Sequence, residues 1–250
     1  MEQKGGEAAM QQTMGYLRRA IDDYQMIRPN ERIAVALSGG KDSMLMLEAL
    51  KKLSFYHPAK FSVFALFIDL GFDHINMDAL RAHCEKLEVP FIVRKTDIAP
   101  LVFETRKESN PCSLCAKMRR ACLHDAAREN GAETIALGHH RDDAIETFIM
   151  NLMFEGRIGC FQPVTYLDRK DVRVIRPMIY LTEHQIKNTV ERCGIAPVKN
   201  PCPMDHASKR QEVKNLLLRA EEKYPGIREK LFGAIQRSDL DGWKLNNETN

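Results

Sequence analysis

The run Ser38-Gly39-Gly40-Lys41-Asp42-Ser43 has the makings of an anion site. It follows a short apolar, β-branched stretch, Ile33–Leu37, and flows into Met44–Leu50, which reads as a helix. A strand, a glycine turn and a helix start leave backbone N–H groups unpaired and pointing outward, which suits phosphate. The glycines let a ligand approach the backbone, Ser38 and Ser43 add hydroxyl donors, and Lys41 adds positive charge. The spacing is not that of a Walker loop. The competing reading is a strand–turn–helix that holds no ligand.

A second cluster, Gly138-His139-His140-Arg141-Asp142-Asp143, follows the apolar run Thr134–Leu137. A glycine there lets a planar ring lie against the backbone, and paired carboxylates suit Mg²⁺ beside a polyphosphate. Asp142 and Asp143 are equally at home as the N-cap and first turn of a helix. The third cluster is Pro111-Cys112-Ser113-Leu114-Cys115, whose two thiols can reach one metal or one cluster from a tight turn. Cys202, in Asn200-Pro201-Cys202-Pro203, sits in a rigid proline-flanked loop suited to a third ligand. Cys84, Cys122 and Cys193 fall within helical patterns, where packing is the simpler role, and Cys160 follows a helix. Three thiolates on a four-iron cluster would leave one iron open to sulfide. A zinc site with a fourth ligand, or a metal-free persulfide relay, remain the alternatives.

Several elements must position these clusters. Apolar runs of strand length lie at Ile33–Leu37, Phe61–Ile68, Pro90–Val93 and Thr134–Leu137, and a weaker fifth lies at Val172–Ile175. Helical patterns separate them at Ser43–Leu53, Met77–Leu87 and Lys117–Asn130, and Met10–Ile27 leads the chain. Strands alternating with helices predict an α/β fold with a doubly wound parallel sheet and right-handed crossovers. Both Ser38–Ser43 and Gly138–Asp143 then fall at strand C-termini, where such sheets bind ligands. Helices at Thr182–Cys193, Ser208–Lys223 and Ile227–Ser238 follow. The expected division is a helical segment at 1–30, a nucleotide domain at 31–180 and a helical region at 181–250. Segment Lys95–Pro111 shows no period and is expected to be a loop.

Length and composition bound the reading. The chain has 250 residues, 44% of them hydrophobic, so it can bury a full core. A net charge of +3 permits nucleic-acid binding without requiring it. No secretory h-region and no run of membrane-spanning length is seen, so a cytoplasmic protein without membrane contact is expected. In that compartment the seven cysteines point to thiols, metal ligands or redox groups rather than disulfides.

Together, the SGGKDS loop, Pro-Cys-Ser-Leu-Cys with Met118-Arg119-Arg120, Gly-His-His-Arg-Asp-Asp, Ile175-Arg176-Pro177, the late Pro-Cys and Tyr224-Pro225-Gly226 carry a resemblance. From about Glu31 to about Gly233 the chain resembles the TtcA family of tRNA 2-thiocytidine synthetases, within the PP-loop ATP pyrophosphatases. The resemblance implies a [4Fe-4S] cluster on Cys112, Cys115 and Cys202. It also implies ATP and Mg²⁺ at Ser38, Gly39, Gly40, Lys41, Asp42, Ser43, Gly138, Asp142 and Asp143, with Ile68 against adenine. Arg119, one turn past Cys115, is placed between cluster and phosphates, with an RNA-backbone contact as the other option. Two departures stand out. The zinc-binding cysteine pairs of the related 2-thiouridine enzymes are missing, and Cys202 is followed by Pro203-Met204-Asp205 rather than by a nearby cysteine.

The implied reaction adenylates the C2 oxygen of a pyrimidine, expected to be an anticodon-loop cytidine, and then replaces it with sulfur. Its partners would be tRNA and a sulfur donor, either a cysteine desulfurase or free sulfide, with a homodimer left open. Basic residues expected near RNA are Arg106, Lys107, Lys117, Arg119 and Arg120, and Lys199, Lys209, Arg210, Lys214 and Arg219. The alternative is a PP-loop adenylating ligase or amidotransferase-type enzyme that acts on a small molecule with zinc or free thiols. A weaker third reading is a nucleotide sensor.

Overall fold

A computed structural model describes residues 2–72, 75–105, 111–168, 170–198, 202 and 209–244. In chain order these form α1 (Glu2–Asp23), β1 (Arg32–Ala36), α2 (Lys41–Ser54), β2 (Ser62–Asp69), α3 (Met77–Lys86) and β3 (Phe91–Lys95). A short π-helical stretch (Pro100–Thr105) precedes α4 (Pro111–Glu129), β4 (Thr134–Ala136), α5 (Arg141–Glu155), β5 (Val164–Leu167) and β6 (Val172–Ile175). The chain closes with α6 (Glu183–Arg192), α7 (Lys209–Lys223) and α8 (Ile227–Arg237).

The sheet order is β3-β2-β1-β4-β6-β5. β1, β2, β3, β4 and β6 run parallel, with Ile33 opposite both Val63 and Thr134. The chain moves outward from β1 to β3 and then returns past β1 to β4. The strand order therefore reverses between β1 and β4, and a crevice opens beyond their carboxyl ends.

The edge strand β5 differs from the expected parallel sheet: it pairs antiparallel with β6, from Val164 opposite Ile175 to Leu167 opposite Val172. It has only four residues, none fully buried, so it lacks the apolar run that marks a strand in sequence. Helix α5 also escapes a periodicity reading. Ile145, Phe148, Ile149, Met150, Leu152, Met153 and Phe154 are spread around its circumference, so no single apolar stripe stands out. The Lys95–Pro111 loop contains the π-helical stretch. Helix α4 starts six residues earlier than Lys117, with Pro111 at its first position, where the missing N–H costs nothing.

Alternating strand residues feed two cores. On one face Ile33, Val35, Val63, Ala65 and Phe67 pack with α1, α2 and α6–α8, from Met10 through Trp243. Residues of all three expected segments thus share one core, and Thr13 Oγ1 meets Thr189 Oγ1 at 3.0 Å between α1 and α6. The other face is thinner. Ala34, Phe64, Leu66, Ile135, Val172 and Val174 are joined there by Leu123, Ala126 and Ala127 of α4.

Candidate active site

The glycine loop sits where the strand order reverses. Helix α2 has Gly40 as its N-cap, and no side chain caps it. The Ser43 hydroxyl instead braces the loop: it accepts from the Ser38 amide at 3.1 Å and donates to the Gly40 carbonyl at 3.0 Å. The first-turn amides are thereby left to a ligand. Gly39 has φ +85°, a left-handed conformation that favours glycine, and its carbonyl accepts the Val198 amide at 2.8 Å. Lys41 Nζ pairs with Asp42 Oδ2 at 3.1 Å and Glu183 Oε1 at 3.5 Å. Burial pulls its pKa down, but those two carboxylates outweigh it and raise the pKa overall, so Lys41 stays charged. A cavity of about 410 Å³ opens beside the loop. Ser38, Gly40, Lys41, Asp42, Ile68 and Arg119 are among its lining residues.

Cys112 and Cys115 lie in the first turns of α4 and not in a tight turn. Their i, i+3 spacing puts both thiols on one helix face. Cys202 comes to them although 86 residues lie between it and Cys115. The described segment that ends at Val198 is tied to the glycine loop, its amide donating to the Gly39 carbonyl. Burial raises the Cys115 pKa, Arg119 opposes this, and the neighbouring Cys202 and Cys112 push it up further. Cys112 and Cys202 are thus each within electrostatic reach of Cys115. Arg119 is open to water yet walled by protein, and this partial desolvation lowers its pKa against the pull of Cys115 and Cys202.

Asp142 and Asp143 are engaged elsewhere. Asp142, buried, takes Arg228 Nη1 on Oδ1 at 2.6 Å and the Glu183 amide on Oδ2 at 2.8 Å. It therefore clamps α5 to the start of α6 and to α8. Asp143 accepts the His140 amide at 3.0 Å and faces Arg210 at 3.4 Å, the N-terminal helix role. Neither lines the cavity beside the loop. Gly138 also differs from its expected part: a Cβ there would lie 3.4 Å from the backbone of Asp42 and Ser43, so it seats α2 against β4 rather than offering a face to a ring.

Comparison with known proteins fixes the relationship. The PP-loop domain family matches residues 11–221. A tRNA-cytidine(32) 2-sulfurtransferase of Syntrophotalea carbinolica is 34% identical over 87% of this chain and 85% of its own length. One from a Marinomonas species is 38% identical over 87% of this chain and 79% of its own. The chain belongs to the tRNA-cytidine(32) 2-sulfurtransferase family of PP-loop proteins. Among solved structures, the U34-tRNA thiolase NcsA from Methanococcus maripaludis with its [4Fe-4S] cluster shares the fold. It aligns with a TM-score of 0.76 and 24% identity, covering 94% of this chain and 82% of that one. The NH3-dependent NAD synthetase of Campylobacter jejuni is more distant, at a TM-score of 0.50 and 15% identity over 93% of this chain and 94% of that one.

Against this family frame, Ser38, Gly40, Lys41, Asp42, Ile68 and Arg119 line one cavity, and Cys115 feels both Cys112 and Cys202, although no three His, Cys, Asp or Glu side chains among the described residues are drawn close enough to hold a metal ion. The loop and cavity fit a nucleoside triphosphate; the three thiols are of the type that ligates an iron–sulfur cluster, but in this structure they are not closed up around a metal-sized site. For a divalent cation the suitable group is Asp42, whose Oδ1 is buried and accepts no hydrogen bond among the described residues. Cys84 is fully buried, and burial pushes its thiol up to about 11 and that of Cys160 to about 12, so both stay protonated. Among the expected RNA contacts, Arg210 is held by Glu146 at 3.2 Å and Lys214 by Glu183 at 2.6 Å. Arg106, Lys107 and Lys199 lie outside the described residues. Sequence reasoning missed Val198, Glu183 and Arg228. Glu183 carries a faint signal, in the Thr182-x-x-Gln185 capping box, whereas Val198 and Arg228 act only through tertiary contact. No described helix is long and apolar enough to cross a membrane.

Proposed function

We propose that this chain is an ATP-dependent tRNA 2-thiolase acting on cytidine 32 of the anticodon loop. The observation that carries the reading is the shared cavity. Arg119, on the helix that presents Cys112 and Cys115, lines the same space as the glycine loop, and Cys202 is within electrostatic reach.

The α2 amides and Ser38 hold the departing pyrophosphate, and Lys41 exchanges its carboxylate partners for phosphate. Arg119 spreads positive charge where the α-phosphate is attacked. Asp42 positions Mg²⁺ through its unpaired oxygen. Ile68, Leu66 and Leu70 supply an apolar wall that orients adenine and keeps out water. The C2 oxygen of cytidine displaces pyrophosphate, and sulfide then displaces AMP, leaving C2–S. Adenylation serves because oxide leaves poorly and adenylate leaves well. When bound by Cys112, Cys115 and Cys202, a [4Fe-4S] cluster would offer its open iron to an incoming sulfide. Residues 31–180 carry the nucleotide and residues 181–250 complete the cluster and RNA side. Sulfur is supplied as free sulfide, or as the persulfide of a cysteine desulfurase from which a thiol reductant releases sulfide, the thiol being oxidised to a disulfide.

The test is iron content and thiolated nucleoside in one anaerobic preparation. About four irons per chain are expected. Each of Cys112→Ala, Cys115→Ala and Cys202→Ala is expected to lose them, together with ATP-dependent 2-thiocytidine in tRNA measured by mass spectrometry. Zinc in place of iron, or thiolation that survives loss of Cys202, would overturn the cluster reading. ATP cleavage driven by a small carboxylic acid without tRNA would move the chain to the ligase class.

A further inference from the structure

A second cavity, of about 400 Å³, lies on the far side of α4 from the nucleotide cavity, and Leu123 lines both. It exists because α4 packs on β2 and β4 but stops short of β5, leaving an open flank where Leu137, Thr165 and Leu167 are only partly buried. Ile135 and Leu137, Val174 and Arg176, and Thr165 and Leu167 point to the same face by the two-residue period of strands. Their side chains give an apolar floor. The rim is basic: Lys117 and Arg120 descend one face of α4 with His124, whose pKa burial lowers toward the neutral imidazole, Lys170 comes from the β5–β6 turn, and no carboxylate lines the space among the described residues. Lys170 is held at the edge by Asp125 at 2.6 Å. Arg176 is 8% exposed; its Nη1 donates to Gln162 O at 2.5 Å and Thr165 Oγ1 at 3.1 Å, while its Nε is buried and has no partner among the described residues. An orphaned buried donor marks a place where an acceptor is missing.

An apolar floor, the cationic edge of Lys117 and Arg120 and an unmatched guanidinium N–H suit one chemistry: a flat heterocycle with carbonyl or imino acceptors, attached to a phosphate. The volume falls in the range of about 300–1,000 Å³ typical of small-ligand pockets. The two cavities are separated by a single helix about 10 Å across, a gap that near-neighbouring nucleotides of one strand can straddle.

We infer that this cavity is a second nucleotide subsite, which takes an unpaired base of the same tRNA loop while the reacting base enters the nucleotide cavity. This rests on the tRNA reading above. The base lies on Leu137, Leu167 and Ala121, which line the cavity and are not fully buried, an acceptor meets Arg176, and Lys117 and Arg120 meet its phosphates. Splaying two bases on opposite sides of α4 fixes which loop nucleotide faces the cysteines.

The test uses the cluster-reconstituted full chain and an unmodified full-length tRNA transcript, with tRNA affinity read by fluorescence anisotropy across salt concentrations. Arg120→Glu is expected to weaken tRNA binding at least tenfold and to reduce the salt slope by about one. Ala121→Phe fills the cavity without changing charge; it is expected to weaken binding at least tenfold at an unchanged slope. Both should keep wild-type iron content and ATP affinity. If Ala121→Phe loses iron or ATP binding, the smaller Ala121→Leu decides. Wild-type tRNA affinity in a folded Ala121 variant would show that no base enters and would overturn the subsite alone. Loss of self-association or of desulfurase binding with tRNA affinity intact would assign the cavity to a protein partner and also overturn it. Failure of the wild-type chain to bind tRNA would remove the parent reading and this inference together.

Discussion

Replacing Asp142 by alanine separates a structural clamp from a magnesium ligand. The Asp142 side chain is 8% exposed and that of Arg228 14%, so their 2.6 Å contact is a nearly desolvated ion pair. Truncation leaves the guanidinium buried without its counter-charge, a loss of about 3–5 kcal/mol. It also strips the Glu183 amide of its acceptor, which overlaps with that figure rather than adding in full. Taking about 4 kcal/mol, and about 2–4 °C per kcal/mol for a chain of this size, the melting midpoint should fall by about 8–16 °C. Differential scanning calorimetry on the reconstituted protein, with ATP titration at several Mg²⁺ concentrations, reads both effects. Asp142→Leu combined with Arg228→Met should recover much of the loss, because removing both charges leaves neither unpaired. The reasoning fails if Asp142→Ala melts within about 2 °C of wild type while Mg²⁺-dependent ATP affinity collapses. The carboxylate would then be serving a cation, as its place in the Gly-His-x-x-Asp-Asp run first suggests.

Gly39→Ala should lower ATP affinity about tenfold by calorimetric titration. The residue must hold φ +85°, and its new Cβ would lie 3.2 Å from Val198 Cβ, a combined strain of about 1–2 kcal/mol. Because Gly39 also anchors the segment that ends at Val198, iron retention should fall with it, and Val198→Gly, which removes the opposing Cβ, should relieve the steric part only. Acid should destabilise the fold in two windows. Burial first, and then Arg176, lower His139 from 6.5 to about 4, so its contribution is complete above pH 6.5 and is lost as pH falls toward 4. For Glu183, burial raises the pKa, but Lys214, Lys187 and Lys41 together bring it from 4.5 to about 2. Its contribution, about 1–2 kcal/mol after solvent screening, is therefore present above 4.5 and lost toward 2. Urea midpoints measured at stepped pH should show both declines, and His139→Phe should flatten the upper one alone.

Local sequence determined much of this protein because the information was contiguous. Ser38–Ser43 sets its own turn through the Ser43 hydroxyl and Gly39. The runs that became β1, β2 and β4 are buried on both faces, so their apolar character shows without reference to anything else, while the half-buried β3 shows through its Phe91-Ile92-Val93 run. The cysteines were legible as donors, and Cys112 and Cys115 as a pair, because three residues fix their distance in almost any local structure. What lay beyond the sequence was every fact set by partners far along the chain. Asp142 looks like a metal ligand until Arg228 and the Glu183 amide, from α8 and α6, take up its oxygens. Arg210 and Lys214 look like RNA contacts until Glu146 and Glu183 claim them. The short edge strand β5 has no pattern of its own and forms only because β6 offers it a ladder. That Cys202 falls within electrostatic reach of Cys115, across 86 intervening residues, is likewise a fact of the tertiary fold. Residue types and short spacings announce which chemistry is available; the tertiary fold allots each charge and donor to a ligand or to a neighbour, because burial lets a polar group keep only the partners that packing brings to it.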